Sequence, residues 1–424
     1  MADLAVPEEA SGPPAPPPVA APPGARPIRE VLASPDFRRY WVAQFLAALG
    51  NGALRFVFVW LALDLSDSAA APGFLGLALG LPGLVLMVPA GVWSDRLDRR
   101  RLIVRAQLAA TAVLAAAAAV TWADLMSIPL AAVFAVASGA VLALSAPALQ
   151  ALVPSLVPPH RLMTGVALQG MGLNAALLFG AVAGGGAIAV AGVGGAFALL
   201  GVLQAIAAVA MGRVRLPARE QQPRRGMRGD IGEGLRFAFG HEPLRSLLGI
   251  GLLAGFTWGM VSILLPEVAK EDLGTGPFQT SLLFSALGVS LFATSMVLAS
   301  RHHIRRPGLL VACSISTLLG GGVLVMGLSR SYLLTLTVMF AWGVGGGISI
   351  TLQRGLLQRH TPDALMGRVM GLSGLTLIGS FPLAAAVASV LSSALGPADT
   401  LVVVGIGAIA AAGLLGWRPA VRTA

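Results

Sequence analysis

Residues Gly91-Val92-Trp93-Ser94-Asp95-Arg96-Leu97-Asp98-Arg99-Arg100-Arg101 put two acids and four arginines into eleven positions. Apolar stretches flank them at about 73–93 and 102–123, and roughly 20 apolar residues are what a helix needs to cross a bilayer. A charged cluster between two such spans is pinned at a membrane face. The rest of the chain agrees. With 56% apolar residues, 11% charged ones and a mean hydropathy of +0.81, its solvent must be lipid. Backbone groups in lipid need internal partners, and apolar runs of this length select helices over a barrel.

Working outward from the cluster gives twelve spans: 39–63, 73–93, 102–123, 129–151, 165–190, 196–212, 246–267, 278–300, 308–328, 332–353, 369–393 and 399–417. The expected fold class is an all-α membrane protein with twelve transmembrane helices in two six-helix bundles. Residues 1–38, rich in Pro and Ala and lacking a signal-peptide core, read as a disordered cytoplasmic tail. Residues 39–212 form the N-terminal bundle, 213–245 a polar cytoplasmic linker, 246–417 the C-terminal bundle and 418–424 a short cytoplasmic tail.

Of the 29 Lys and Arg residues, all but Arg55, Lys270 and Arg330 fall in the tails and in alternate loops. Cytoplasmic basic loops explain that bias, which places both termini in the cytoplasm of a cell (inner or plasma) membrane protein. The net charge of +10 thus reports topology rather than a nucleic-acid partner. A single cysteine, Cys313, allows no intrachain disulfide, and no metal cluster or cofactor site is visible.

An internal repeat divides the chain six and six. At a constant offset of 203, Leu149-Gln150, Pro159, Leu162-Met163 and Val166 match Leu352-Gln353, Pro362, Leu365-Met366 and Val369. At an offset of 206, Ser94 and Arg99-Arg100 match Ser300 and Arg305-Arg306. Duplicated bundles of this kind are common in secondary transporters.

The opening cluster resembles the loop between helices 2 and 3 of major facilitator superfamily transporters, roughly Gly-x-Leu-Ala-Asp-Arg-x-Gly-Arg-Arg, with Asp98 replacing the second glycine. Further stretches resemble the enterobactin-exporter and macrolide-efflux-like branch. These are Asp36-Phe37-Arg38-Arg39-Tyr40-Trp41, Leu156-Val157-Pro158-Pro159-His160-Arg161-Leu162, and the most specific, Leu357 to Gly371. Leu149 stands where that branch often has Arg, and the fourth span lacks the superfamily's basic residue. The resemblance implies a conformational latch in which Asp95 faces the N-terminus of helix 11, Gly91 allows close approach, and Arg96 and Arg99 pair across the loop. A carboxylate at a helix N-terminus contributes about 0.3 to 1 kcal/mol when exposed, enough to bias a two-state equilibrium. Charge topology alone would also account for such arginines.

Within the first span Gln44, Asn51 and Arg55 lie within roughly 40° of arc at 100° per residue. A polar stripe there is expected to line the substrate cavity, because lipid exposure of a central Arg costs about 2.5 to 3.5 kcal/mol. Alternatively Arg55 snorkels outward or pairs with Asp64. Aromatics at Phe56, Phe58, Trp60, Trp258, Phe340 and Trp342 offer surfaces for a flat apolar substrate, Trp258 foremost, or belong to the lipid interface. Gly180, Gly184 and Gly185 resemble the antiporter pattern Gly-Pro-x-x-Gly-Gly with Ala181 for the proline, and equally suit close helix packing. No acid lies mid-span, so Glu267 and Asp64, at outer helix ends, are the proton-coupling candidates.

Without a Gly-x-x-x-x-Gly-Lys-Ser/Thr loop, transport is expected to be secondary and the protein not an enzyme. The leading reading is a monomeric, proton-coupled exporter of a hydrophobic siderophore, antibiotic or drug, surrounded by membrane lipids. An uptake carrier or lipid translocator is the alternative, and a non-transporting receptor the third.

Overall fold

A computed structural model describes residues 27–216, 236–299, 307–362 and 365–416. The described residues contain helices and connecting turns without strands. A short helix α1 (Pro27–Ala33) precedes α2 (Pro35–Leu65), α3 (Ala71–Arg96), α4 (Arg99–Trp122) and α5 (Ile128–Gln150). After a short turn α6 (Val153–Leu156) comes α7 (Leu162–Gly212), which holds two spans in one hydrogen-bonded run. The second bundle comprises α8 (Glu242–Glu271), α9 (Pro277–Ala299), α10 (Pro307–Leu328), α11 (Tyr332–Arg359), α12 (Met366–Ile378), α13 (Ser380–Leu395) and α14 (Pro397–Gly416).

Ten of these segments are long and apolar enough to cross a membrane, and Ala71–Leu86 is a shorter apolar stretch. The expected loop at 191–195 is absent, because the chain turns within α7 at Gly192. Its φ of 68° lies in the left-handed region that favours glycine. Counting both legs of α7, and taking α12 with α13 as one span broken at Gly379, gives twelve. The large apolar side chains left exposed, such as Val190, Leu414 and Val390, suit lipid as solvent.

Two boundaries differ from expectation. Residues 27–33 and 35–38, assigned to a disordered tail, are helical, since Ser34 between them accepts from the Phe37 N–H and Pro35 opens α2 at a position that needs no donor. Residues 236–240, assigned to the linker, are also helical, and α8 starts at Glu242. The outer tails at 1–26 and 417–424, the linker at 217–235, and the Ser300 and Arg305-Arg306 repeat match lie outside the described residues.

Each half has its own apolar interior. One cluster joins α8 to α14, with Leu247, Met260, Leu264, Met339 and Trp342 at its centre. The first half has two, one at its arginine-rich end around Phe37, Tyr40 and Ile103, the other at its distal end around Phe58, Leu75 and Phe197.

Candidate functional site at the seam between the halves

The two halves touch through their distal ends, where the connections at 66–70 and 272–276 lie. Gly73, Gly76 and Gly80 form one face of α3 at spacings of three and four residues, and α13 answers with Ser389, Ala385 and Pro382. A Cβ added at Gly73 would come within 2.7 Å of Ser389 Cβ, and one at Gly80 within 2.9 Å of Pro382 Cγ. Such glycines let the two helix backbones close on each other. Ser389 Oγ then donates to the Ala70 carbonyl at 2.9 Å. Gly185 makes a similar approach from α7 to α9, where an added Cβ would stand 2.5 Å from Ser281 Cβ.

Polar and aromatic groups tie the same seam. Lys270 Nζ lies 3.0 Å from Asp64 Oδ1, donates to the Leu63 carbonyl at 2.6 Å and sits 5.7 Å from the centre of the Trp60 ring. Phe56 meets Phe284 edge to face at 6.1 Å. Further inward, the Arg55 guanidinium carbon lies 3.8 Å over the Phe381 ring, just past the Gly379 break. Arg55 therefore does not pair with Asp64, because Lys270 holds that carboxylate.

The polar stripe of α2 divides among three neighbours. Gln44 is 2% exposed and donates to the Gln169 carbonyl at 3.2 Å, inside the first half. Asn51 Oδ1 accepts from Gln204 Nε2 at 3.4 Å on the last leg of α7. Gln44 and Asn51 thus have partners within their own bundle, and Arg55 alone of the three reaches across. Helical periodicity identified the shared face, but α2 is central, and the same face meets both legs of α7.

Glu267 is 1% exposed and accepts from Ser392 Oγ of α13 at 3.4 Å. Gly180 and Gly184 close on α2, where added Cβ atoms would meet the Ala53 N–H nitrogen at 3.0 Å and the Ala53 carbonyl at 3.1 Å. Among the aromatics, Phe58 packs on Phe197, Trp342 Nε1 donates to the Leu319 carbonyl, and Phe340 is exposed on the outer surface. Trp258 is half-buried and lines, with Trp342 and Leu291, an apolar cavity of about 20 Å³ inside the second half. A void of that size holds about one water.

Gly91, Asp95 and Arg96 occupy the last turns of α3, and their side chains lie outside the described residues. Arg99 donates to the Ala151 carbonyl at 2.7 Å, at the C-terminal end of α5, where a cation suits the helix dipole. Asp98, the departure from the expected motif, caps α4 by accepting from the Arg101 N–H at 2.9 Å.

Lys270, Phe381, Phe284, Ser389 and the ridge of Gly73, Gly76 and Gly80 were not singled out from sequence. Lys270 carried a signal, as one of three cations outside the basic loops, and so did the glycine spacing. Phe381 and Ser389 had none.

Two helical bundles joined along one seam, wholly in apolar spans, define a multi-pass membrane protein with a transporter fold. The sequence profile of the Major Facilitator Superfamily matches residues 40–381, and the chain belongs to that family. It is 26% identical to an uncharacterized MFS-type transporter of Sinorhizobium fredii, over 82% of this chain and 87% of that one. It is 27% identical to the enterobactin exporter EntS of Citrobacter koseri, over 80% of each chain. In three dimensions it resembles a bacterial homolog of the human lysosomal transporter Spinster, with a TM-score of 0.70 at 13% identity, covering 94% of this chain and 98% of that one. The nucleoside transporter NupG gives 0.69 at 12% identity, covering 90% and 98%. At such identities the likeness to solved structures concerns the fold. The protein is a transporter of small molecules rather than an enzyme.

Proposed function

We propose that this transporter is a monomeric, proton-coupled exporter of a hydrophobic small molecule of the siderophore, antibiotic or drug class. It works by alternating access in the cell membrane, with both termini in the cytoplasm. The observation that carries the export reading is the 27% identity, over 80% of the chain, to an enterobactin exporter. The charge bias supports the orientation, because the arginine-rich loops then lie inside.

The distal seam supports the alternating-access part. Among the described residues its polar ties between halves are few, and both partners of the Lys270–Asp64 pair are partly exposed. Protonating Asp64 removes the charge that Lys270 needs, which favours distal opening. Glu267, buried beside Ser392 one turn earlier, is the second coupling carboxylate. Asp95, with Gly91, Arg96 and Arg99, completes the cycle as the latch at the arginine-rich end.

Efflux from loaded proteoliposomes, with an imposed pH gradient and then an uncoupler, tests this reading. Export should follow the gradient and cease when it collapses. Asp64→Asn and Glu267→Gln should move its pH dependence, and Asp95→Asn should slow turnover without unfolding the protein. Concentrative uptake, or export that follows a sodium gradient instead, overturns the reading.

A further inference from the structure

Arg55 is a permanent cation in the middle of an apolar span, and its guanidinium lies over an aromatic face. It has no ion pair and no hydrogen bond among the described residues, although a guanidinium carries five donors. Among the described residues no carboxylate lies at that depth, since their acids sit near helix ends, in the short α1 or in connecting turns. The nearest along its own helix, Asp64, is held by Lys270 at 3.0 Å, and Glu267 faces Ser392. An intramembrane charge is expensive and is retained where a partner repays it. Phe381 repays only part, because a cation over a ring satisfies none of the five donors.

The position of the pair matters as much as its chemistry. Along α2 and along α13, Arg55 and Phe381 are the innermost of the seam contacts, with Pro382, Ala385 and Ser389 lying progressively further toward the distal end. Arg55 is half-buried rather than sealed, so its donors are not all enclosed by the protein.

We infer that the transported molecule is an organic anion with a planar group, such as an aromatic carboxylate or phenolate, and that Arg55 is its counter-charge. The anion takes the donor fork of Arg55, and Phe381 stacks on its planar part. This rests on the transport reading above and supplies its substrate class. It also lets binding act on the seam, because the ligand replaces a contact that joins the halves.

Full-length protein in lipid nanodiscs, with no gradient, should be titrated with three probes of one shape: 1-naphthoate, neutral 1-naphthamide and cationic 1-naphthylmethylammonium. Naphthoate should bind about tenfold or more tighter than the other two, as charge-assisted bidentate bonds allow. Arg55→Gln should abolish that preference, Arg55→Lys should keep part of it, and Phe381→Ala should preserve charge selectivity while weakening all three probes. Absent naphthoate binding, equal affinity for the amide, or undiminished anion preference in a folded Arg55→Gln overturns the inference. Should Arg55→Gln fail to fold, the charge selectivity of the native protein and of Arg55→Lys decides. Because no efflux is measured, a failure here leaves export standing, and a wrong direction of transport leaves this result standing.

Discussion

The two ends of the bundle are fastened in opposite ways. At the distal end the polar ties cross from one half to the other: Lys270 to Asp64 and to the Leu63 carbonyl, and Ser389 to the Ala70 carbonyl. At the arginine-rich end the described ties stay within the first half. Arg39 donates to the Arg213 carbonyl, Arg100 to the Val214 carbonyl and Arg99 to the Ala151 carbonyl, while Asp36 accepts from the Arg215 N–H. Among the described ties, those at one end hold the halves together, and those at the other hold a half to itself. The proposed rocking motion would open the distal end by unpacking the seam and breaking its polar ties, while each bundle keeps its apolar interior. That separation yields distinct outcomes for mutations at the two ends.

The largest effect is expected from Gly185→Leu. Its side chain would be driven into Ser281 and the Pro277 carbonyl of the other half, which an added Cβ alone would approach to 2.5 and 2.6 Å. The halves can avoid this overlap by separating, so the fold survives and distal closure is lost. In a background with Cys313 replaced by Ser, a reporter at Phe56→Cys, buried in the closed seam, should then be alkylated at least about tenfold faster. Gly180→Leu is the contrast. Its clash, with Gly52 and Ala53, lies inside one bundle, so it should lower stability by about 1–3 kcal/mol without exposing the reporter. Equal reporter rates in both variants would break the distinction between seam and interior.

Next in size is the tether. Lys270→Met removes both the ion pair and the bond to the Leu63 carbonyl, whereas Asp64→Asn removes only the charge of one partner. Both side chains are more than a third exposed, so the pair itself contributes about 0.2–1 kcal/mol. The carbonyl bond from a charged donor adds about 1.5–3 kcal/mol. Reporter alkylation should therefore rise more in Lys270→Met than in Asp64→Asn. The double variant should resemble Lys270→Met, because the two share one interaction. Additive effects would place the tether elsewhere.

Why some of this was readable from the sequence and some not follows from the range of each signal. Span positions were legible because lipid imposes length and hydropathy on every helix, and each span proposed from sequence lies on a helix found, overrunning its end by one residue at 123 and 151 and reaching 300 and 417, outside the described residues. Asp98 was legible in principle, since an acid just before a helix start is a local capping signal, yet it stood out only as a departure from a motif. The partners of the α2 stripe were not legible, because periodicity names a face and not a neighbour. Gln44 and Asn51 turn to α7, while Arg55, with a longer side chain, reaches α13. Contacts such as Ser389 with Ala70, 319 residues apart, leave no trace in composition or spacing.

A third, smaller effect belongs to the arginine-rich end. Asp98→Ala removes the side-chain acceptor of the Arg101 N–H, and loss of a helix N-cap costs about 1 kcal/mol. Thermal stability in nanodiscs should fall by that order while the Phe56→Cys reporter rate stays unchanged. Asp98→Asn and Asp98→Ser, both good caps, should restore stability. A faster reporter in Asp98→Ala would mean that the two ends are mechanically coupled more tightly than their separate contacts imply.

The smallest expected effect is a pH response confined to the same end. Arg161 donates from Nε to Glu30 Oε2 at 2.9 Å, and His160 Nε2 lies 3.5 Å from Oε1, tying α1 to the start of α7. The Arg161 hydrogen bond, opposed by some desolvation, holds the Glu30 carboxyl below its usual value of 4.5. A carboxylate with a depressed folded-state value stabilises the fold above its unfolded value and loses that contribution as pH falls through the folded one. Docking of α1 should accordingly be constant from neutral pH down to the ordinary carboxylate range and weaken only below it. Limited proteolysis within Pro27–Ala33, followed over falling pH, reads this directly. Glu30→Gln should show the weakened state already at neutral pH, and the distal reporter should not respond in either case. If α1 loosens already well above the carboxylate range, Glu30 does not set the docking, and the fixed ion pair with Arg161 is not what ties α1 to α7.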